Sequence, residues 1–188
     1  MVMGRRRRPD ELRDKIDMMI AELSKQSRLL KERCDVCYRQ AEALAKEGIE
    51  EASKKWLAMT LVFRKMRSNI ESQIADLFLV RTQLEITPPE EMGSVMTRAG
   101  EILVNSERVR ETVGRAMSQL DVIIRAGVEG AATAGYYGVS SEELNKEFER
   151  MQEKIGLEAA ERMELPEVPK EVTKEEEKAE REKAGDRG

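Results

Sequence analysis

Leu44-Ala45-Lys46-Glu47-Gly48-Ile49-Glu50-Glu51-Ala52 is the stretch whose reading decides the fold. Gly48 is the only residue in it that favours a helix stop, and apolar residues recur on both sides of it with helical spacing. Upstream one face reads Leu12, Ile16, Met19, Leu23, Ser27, Leu30, Cys34, Cys37, Ala41 and Leu44, in alternating steps of three and four. Downstream a second face reads Ala52, Trp56, Met59, Phe63, Met66, Ile70, Ile74, Leu77, Val80 and Leu84. Two helices joined by so short a turn lie antiparallel and zip their stripes together. The expectation is a hairpin over residues 10–87, preceded by a basic arm over 1–9.

The rest of the chain is punctuated by proline and glycine. Pro9-Asp10-Glu11 supplies a helix start with acids in the first turn, where the helix dipole favours them. Every proline lies outside residues 10–87, so nothing there is obliged to break a helix. Pro88-Pro89 ends the second helix and opens shorter helices over 89–126, with apolar positions from Met92 to Ile124; Ser106 is a candidate cap if a bend falls at Asn105-Ser106. Residues 127–140 hold Gly127, Gly130, Gly135 and Gly138 and read as a linker. Ser140 and Glu143 form a capping box for an acidic distal helix over 141–163. Residues 164–172 should be extended around Pro166 and Pro169, and 173–188 are a charged tail.

Composition agrees with an all-α protein of extended amphipathic helices. Charged residues make up 37% and aromatics 4%, which suits helices that bury one stripe better than a thick globular core. There is no histidine, which removes the usual general base of nucleophilic triads and every imidazole metal ligand. Cys34 and Cys37 form a lone C-x-x-C with no second pair and no βαβ context, so they read as core thiols. No catalytic residue, metal site or cofactor is expected, and the chain is read as a non-enzyme. No apolar run is long enough to span a membrane, and no apolar segment follows the basic start as a signal peptide would require.

Charge divides the chain. Residues 1–86 carry 18 Lys and Arg against 14 Asp and Glu, while residues 87–188 carry 15 against 23. A basic half tied to an acidic half can attract itself or an anionic surface. Arg5, Arg6, Arg7 and Arg8 fit anionic lipid, nucleic acid or plain solvent; with no aromatics among them base stacking has no platform, and lipid is favoured. Trp56 and Phe63 lie on the hairpin stripe and read as core, as do most of the methionines.

The segment Ala43 to Ala52 followed by Arg64-Lys65-Met66-Arg67 resembles the hairpin turn of the ESCRT-III family, closest to archaeal cell-division B (CdvB) paralogues without a C-terminal winged-helix-like segment. The order of parts matches as well: basic N-terminus, hairpin, shorter helices, linker, acidic distal helix. Leu165-Pro166-Glu167-Val168-Pro169 is similar to the core of the second type of MIT-interacting motif, although the further prolines often seen in that motif are replaced by Lys170, Glu171 and Val172. What the resemblance implies is a filament-forming, membrane-remodelling protein of cell division or vesicle budding, cytoplasmic and peripheral on the inner face of the cell membrane. It implies partners: copies of itself and paralogues, anionic membrane held by Arg5–Arg8 with Arg64, Lys65 and Arg67 where that face is free, and an MIT-domain AAA+ ATPase that grips Leu165, Pro166, Val168 and Pro169. The alternative is a coiled-coil adaptor or dimerisation module with no membrane role.

Overall fold

A computed structural model describes residues 7–126 and 138–164, with side chains over 9–125 and 138–161. Among the described residues the protein is all-helical: α1 is Arg7–Lys46, α2 Glu50–Ile86, α3 Met92–Ala126 and α4 Ser141–Glu164. The chain divides into two compact units, Met1–Met151 and Gln152–Gly188, with α4 running through the boundary.

Gly48 does what its position requires. Its φ is +76°, a left-handed conformation that costs a side-chain-bearing residue about 1 kcal/mol or more. The turn around it is a Schellman closure: Ile49 N–H donates to Leu44 O at 2.9 Å and Gly48 N–H to Ala45 O at 3.0 Å. Glu50 and Glu51 then sit in the first turn of α2, on the favourable end of its dipole.

Cross-strut partners show that α1 and α2 are antiparallel. Moving down α1 from its closed end, Ser53 Oγ donates to Ala41 O at 2.8 Å, Cys34 Sγ approaches Thr60 O at 3.8 Å, Ser27 faces Glu71 at 3.4 Å, Arg81 pairs with Asp17 at 2.6 Å, and Arg13 donates to Leu84 O at 2.6 Å. Between these struts Ile16, Leu23, Leu30, Leu57, Ile70, Leu77 and Leu84 are wholly buried. Each contributes roughly 1.5–3 kcal/mol by leaving water, so the hydrophobic seam outweighs any single strut. Cys34 and Cys37 are buried within it as free thiols.

Helix α3 covers one side of the hairpin. Gln26 Nε2 donates to Arg110 O at 3.2 Å and Arg33 pairs with Asp121 at 3.0 Å, so α3 runs parallel to α1. Ala99, Val113, Ala116 and Leu120 are its buried face.

Three boundaries differ from the sequence expectation. The basic arm is shorter than residues 1–9: α1 starts at Arg7, because Pro9 falls in the first turn, where its missing N–H would have had no helical partner. Pro88 and Pro89 do not lie inside α3; they form a turn in which Glu91 N–H donates to Pro88 O at 3.1 Å, and the helix begins at Met92. The shorter helices over 89–126 are one helix of 35 residues. Ser106 is not a cap: it is fully buried, and both it and Asn105 donate to Gln73 Oε1 of α2, at 3.3 and 3.1 Å. A partner on another helix leaves no reason to break α3 there.

Candidate functional site: the basic face of α2

The distal helix starts where the capping box placed it. Ser140 Oγ accepts from Glu143 N–H at 3.1 Å, and Gly138 turns the chain at φ +76° just before. Val139, which the sequence reading assigned to a linker over 127–140, is buried and joins the hairpin core; residues 127–137 lie outside the described residues. The first turns of α4 are therefore seated, with Phe148 and Met151 also buried.

That seating brings four side chains of opposite charge together. Lys65 Nζ lies 2.8 Å from Glu143 Oε2 and also donates to Gly138 O. Arg64 pairs with Glu147 and stands over the Tyr38 ring at 5.7 Å from its centroid. Lys54, paired with Glu50 at 2.6 Å, places its ammonium 5.0 Å from the centroid of Phe148, a cation–π contact of a kind worth about 0.5–1 kcal/mol when partly exposed. Partial burial works against the Arg64 charge, but the hydrogen bond and attraction of Glu147 outweigh it, with a smaller contribution from Cys34, and its pKa is raised. Desolvation pushes the Cys34 thiol up despite Arg64 beside it, and pushes Cys37 up to about 11, so both thiols are protonated and inert at neutral pH.

The face named from sequence is thus not free. Arg64 and Lys65 are engaged by α4, while Arg67 is turned to Glu71 of its own helix at 2.7 Å. The three cations do not act as one patch in this arrangement. Around Arg64 and Lys65 an open cleft of about 410 Å³ is lined also by Ser68, Lys146 and Arg150, so further positive charge borders the same place. Arg7 and Arg8 are in the first turn of α1; Arg5 and Arg6, and Leu165, Pro166, Val168 and Pro169, lie outside the described residues.

Sequence reasoning did not single out Glu143 and Glu147 as partners of α2. The signal was present, since they stand one helical turn apart on the helix that Ser140 opens, and Arg64-Lys65 supplies matching charge. Among the described residues no group of three or more His, Cys, Asp or Glu could hold a metal, and no helix is long and apolar enough to cross a membrane. Compared with family models, curated proteins and solved structures, the chain has no match.

Proposed function

We propose that this chain is a self-assembling, non-enzymatic scaffold for anionic membranes, of the ESCRT-III and CdvB kind, held in a closed state by α4. The observation that carries the reading is the placement of Glu143 and Glu147 on Lys65 and Arg64. Acids from the distal part of the chain occupy the same cations that would otherwise face phosphate headgroups. Release of α4 exposes them, and Arg5–Arg8 add a second basic element at the start of the chain. Copies of the chain and paralogues then assemble hairpin against hairpin on the inner face of the cell membrane. An MIT-domain ATPase extracts them by the segment containing Leu165, Pro166, Val168 and Pro169. The division or budding role follows from the resemblance of the hairpin turn and the distal motif.

Sedimentation with anionic and neutral vesicles at low and high salt tests this. The scaffold pellets with anionic vesicles at low salt and less at high salt, because the Debye length falls from about 10 Å at 0.1 M to about 3 Å at 1 M. A coiled-coil adaptor pellets with neither. Electron microscopy of the pelleted material shows whether filaments coat the vesicles.

A further inference from the structure

Helix α4 carries more than acids to the basic face of α2. Glu143 has Lys146 three residues on, and Glu147 has Arg150, so each carboxylate arrives with a cation one turn behind it. Lys65 takes Glu143 at 2.8 Å, while Glu147 is shared between Arg64 and Arg150, the latter at 3.5 Å. With both helices in place, Arg64, Lys65, Lys146 and Arg150 border the same open cleft of about 410 Å³. Four cations there face the carboxylates of Glu143 and Glu147, which leaves two positive charges unmatched. Lys146 and Ser68 also line the cleft, both are exposed, and neither has a hydrogen-bond or ion-pair partner among the described residues.

We infer that this cleft binds a small soluble phosphate-bearing anion, of the diphosphate kind, and that the anion locks α4 shut. The inference rests on the closed state proposed above. Docking α4 gathers Lys146 and Arg150 beside Arg64 and Lys65, and like charges so gathered repel one another. An anion between the helices turns that repulsion into attraction. It draws on both walls: Arg64, Lys65 and Ser68 from α2, Lys146 and Arg150 from α4. Phosphate oxygens suit this set, because ammonium, guanidinium and hydroxyl groups all donate to them. Two unmatched charges call for a ligand with at least two negative charges, which a diphosphate carries at neutral pH. Leu61 is the one apolar residue lining the cleft, so an apolar ligand has little to bury against.

Locking follows from linkage. When α4 leaves, Lys146 and Arg150 leave with it and half of the site is gone, so the anion favours the closed state over the open one. A ligand with that preference, present at about a hundred times its Kd, raises the closed-to-open ratio about a hundredfold. Binding of Arg64 and Lys65 to a membrane requires their release from α4, so the soluble anion opposes it by a route separate from salt screening.

Calorimetric titration of the full chain with inorganic pyrophosphate, without lipid and at fixed ionic strength, tests the site. The wild type binds one equivalent; Lys146→Gln with Arg150→Gln, both at exposed helical positions, weakens binding about tenfold or more, which corresponds to about 1.4 kcal/mol or more. Lys15→Gln with Arg98→Gln removes the same charge from exposed positions near the open end of the hairpin and leaves binding unchanged. On anionic vesicles at matched ionic strength, pyrophosphate lowers the fraction of wild type pelleted and does not move the Lys146/Arg150 variant. Absence of binding, equal weakening by the two variant pairs, or pelleting that rises with pyrophosphate overturns the inference. A Lys146/Arg150 variant that pellets less than the Lys15/Arg98 variant before any pyrophosphate is added assigns the cleft to a lipid headgroup, and that too overturns it. The titration uses no vesicles, so its failure leaves the membrane proposal standing. Wild type that binds pyrophosphate yet never pellets supports the site and overturns the membrane proposal instead.

Discussion

Lys65 Nζ stands 2.8 Å from the Glu143 carboxylate, although 78 residues of chain separate them. Both side chains are about two-fifths exposed, so the pair by itself is worth little, on the order of 0–1 kcal/mol. Its consequence is positional: with Arg64 on Glu147, it keeps two part-exposed cations of α2 paired with acids of α4. Glu143→Gln with Glu147→Gln is expected to raise the fraction of protein pelleted by anionic vesicles at low salt, with helical content by circular dichroism unchanged. Equal pelleting of variant and wild type would mean that these paired cations are not the lipid contact.

The arginine run makes a separate expectation. Each basic residue near an anionic surface contributes about 1 kcal/mol, so replacing Arg5, Arg6, Arg7 and Arg8 with alanine should remove on the order of 4 kcal/mol of lipid binding at most. Vesicle sedimentation at physiological salt measures the loss, and it should shrink as salt is added.

At the closed end of the hairpin, Ser53→Ala leaves Ala41 O without its side-chain partner in a site from which water is excluded. The expected cost is about 1–2 kcal/mol, seen as a lower urea midpoint with an unchanged slope. Gly48→Ala should cost a similar amount for a different reason. No atom lies within 4 Å of an added Cβ there, so the penalty is backbone conformation alone.

Stability should fall at high pH through Cys37. Burial raises its pKa from 9.0 to about 11, so between those values the folded protein holds a proton that the unfolded chain has released. The unfolded state binds fewer protons, and stability therefore drops as pH rises through that window, by roughly 2–3 kcal/mol in all. Urea midpoints at pH 8 and pH 10.5 for wild type and Cys37→Ala check this: the variant should be the flatter of the two.

Binding to an MIT domain is expected to rest on Leu165 and Val168. Burying each in a groove would contribute roughly 1.5–3 kcal/mol before the cost of ordering the segment. Changing both to aspartate should abolish micromolar binding by calorimetry with helical content unchanged. Equal affinity would leave the segment a plain linker.

The hairpin was legible because its causes are local. Stripes from Leu12 to Leu44 and from Ala52 to Leu84 set which side of each helix is apolar, Gly48 supplies the one backbone conformation that closes the turn, and Ser140 with Glu143 starts α4. These depend on residues within a turn or two of one another, which is what spacing records. Tertiary structure decided the rest. Spacing could not say whether Ser106 would cap a new helix or pass through, because its partner Gln73 is 33 residues away. Nor could it say that Glu143 and Glu147 would settle on Lys65 and Arg64, since the stretch between the two helices leaves the docking position open. Helix α2 shows the limit most plainly: its row through Ile70, Leu77 and Leu84 is in helical register and wholly buried, yet spacing did not say that both α1 and α3 would lie against the helix. A periodic row shows only that a helix has an apolar side; which neighbour covers it depends on where other segments fold, and that is a property of three dimensions.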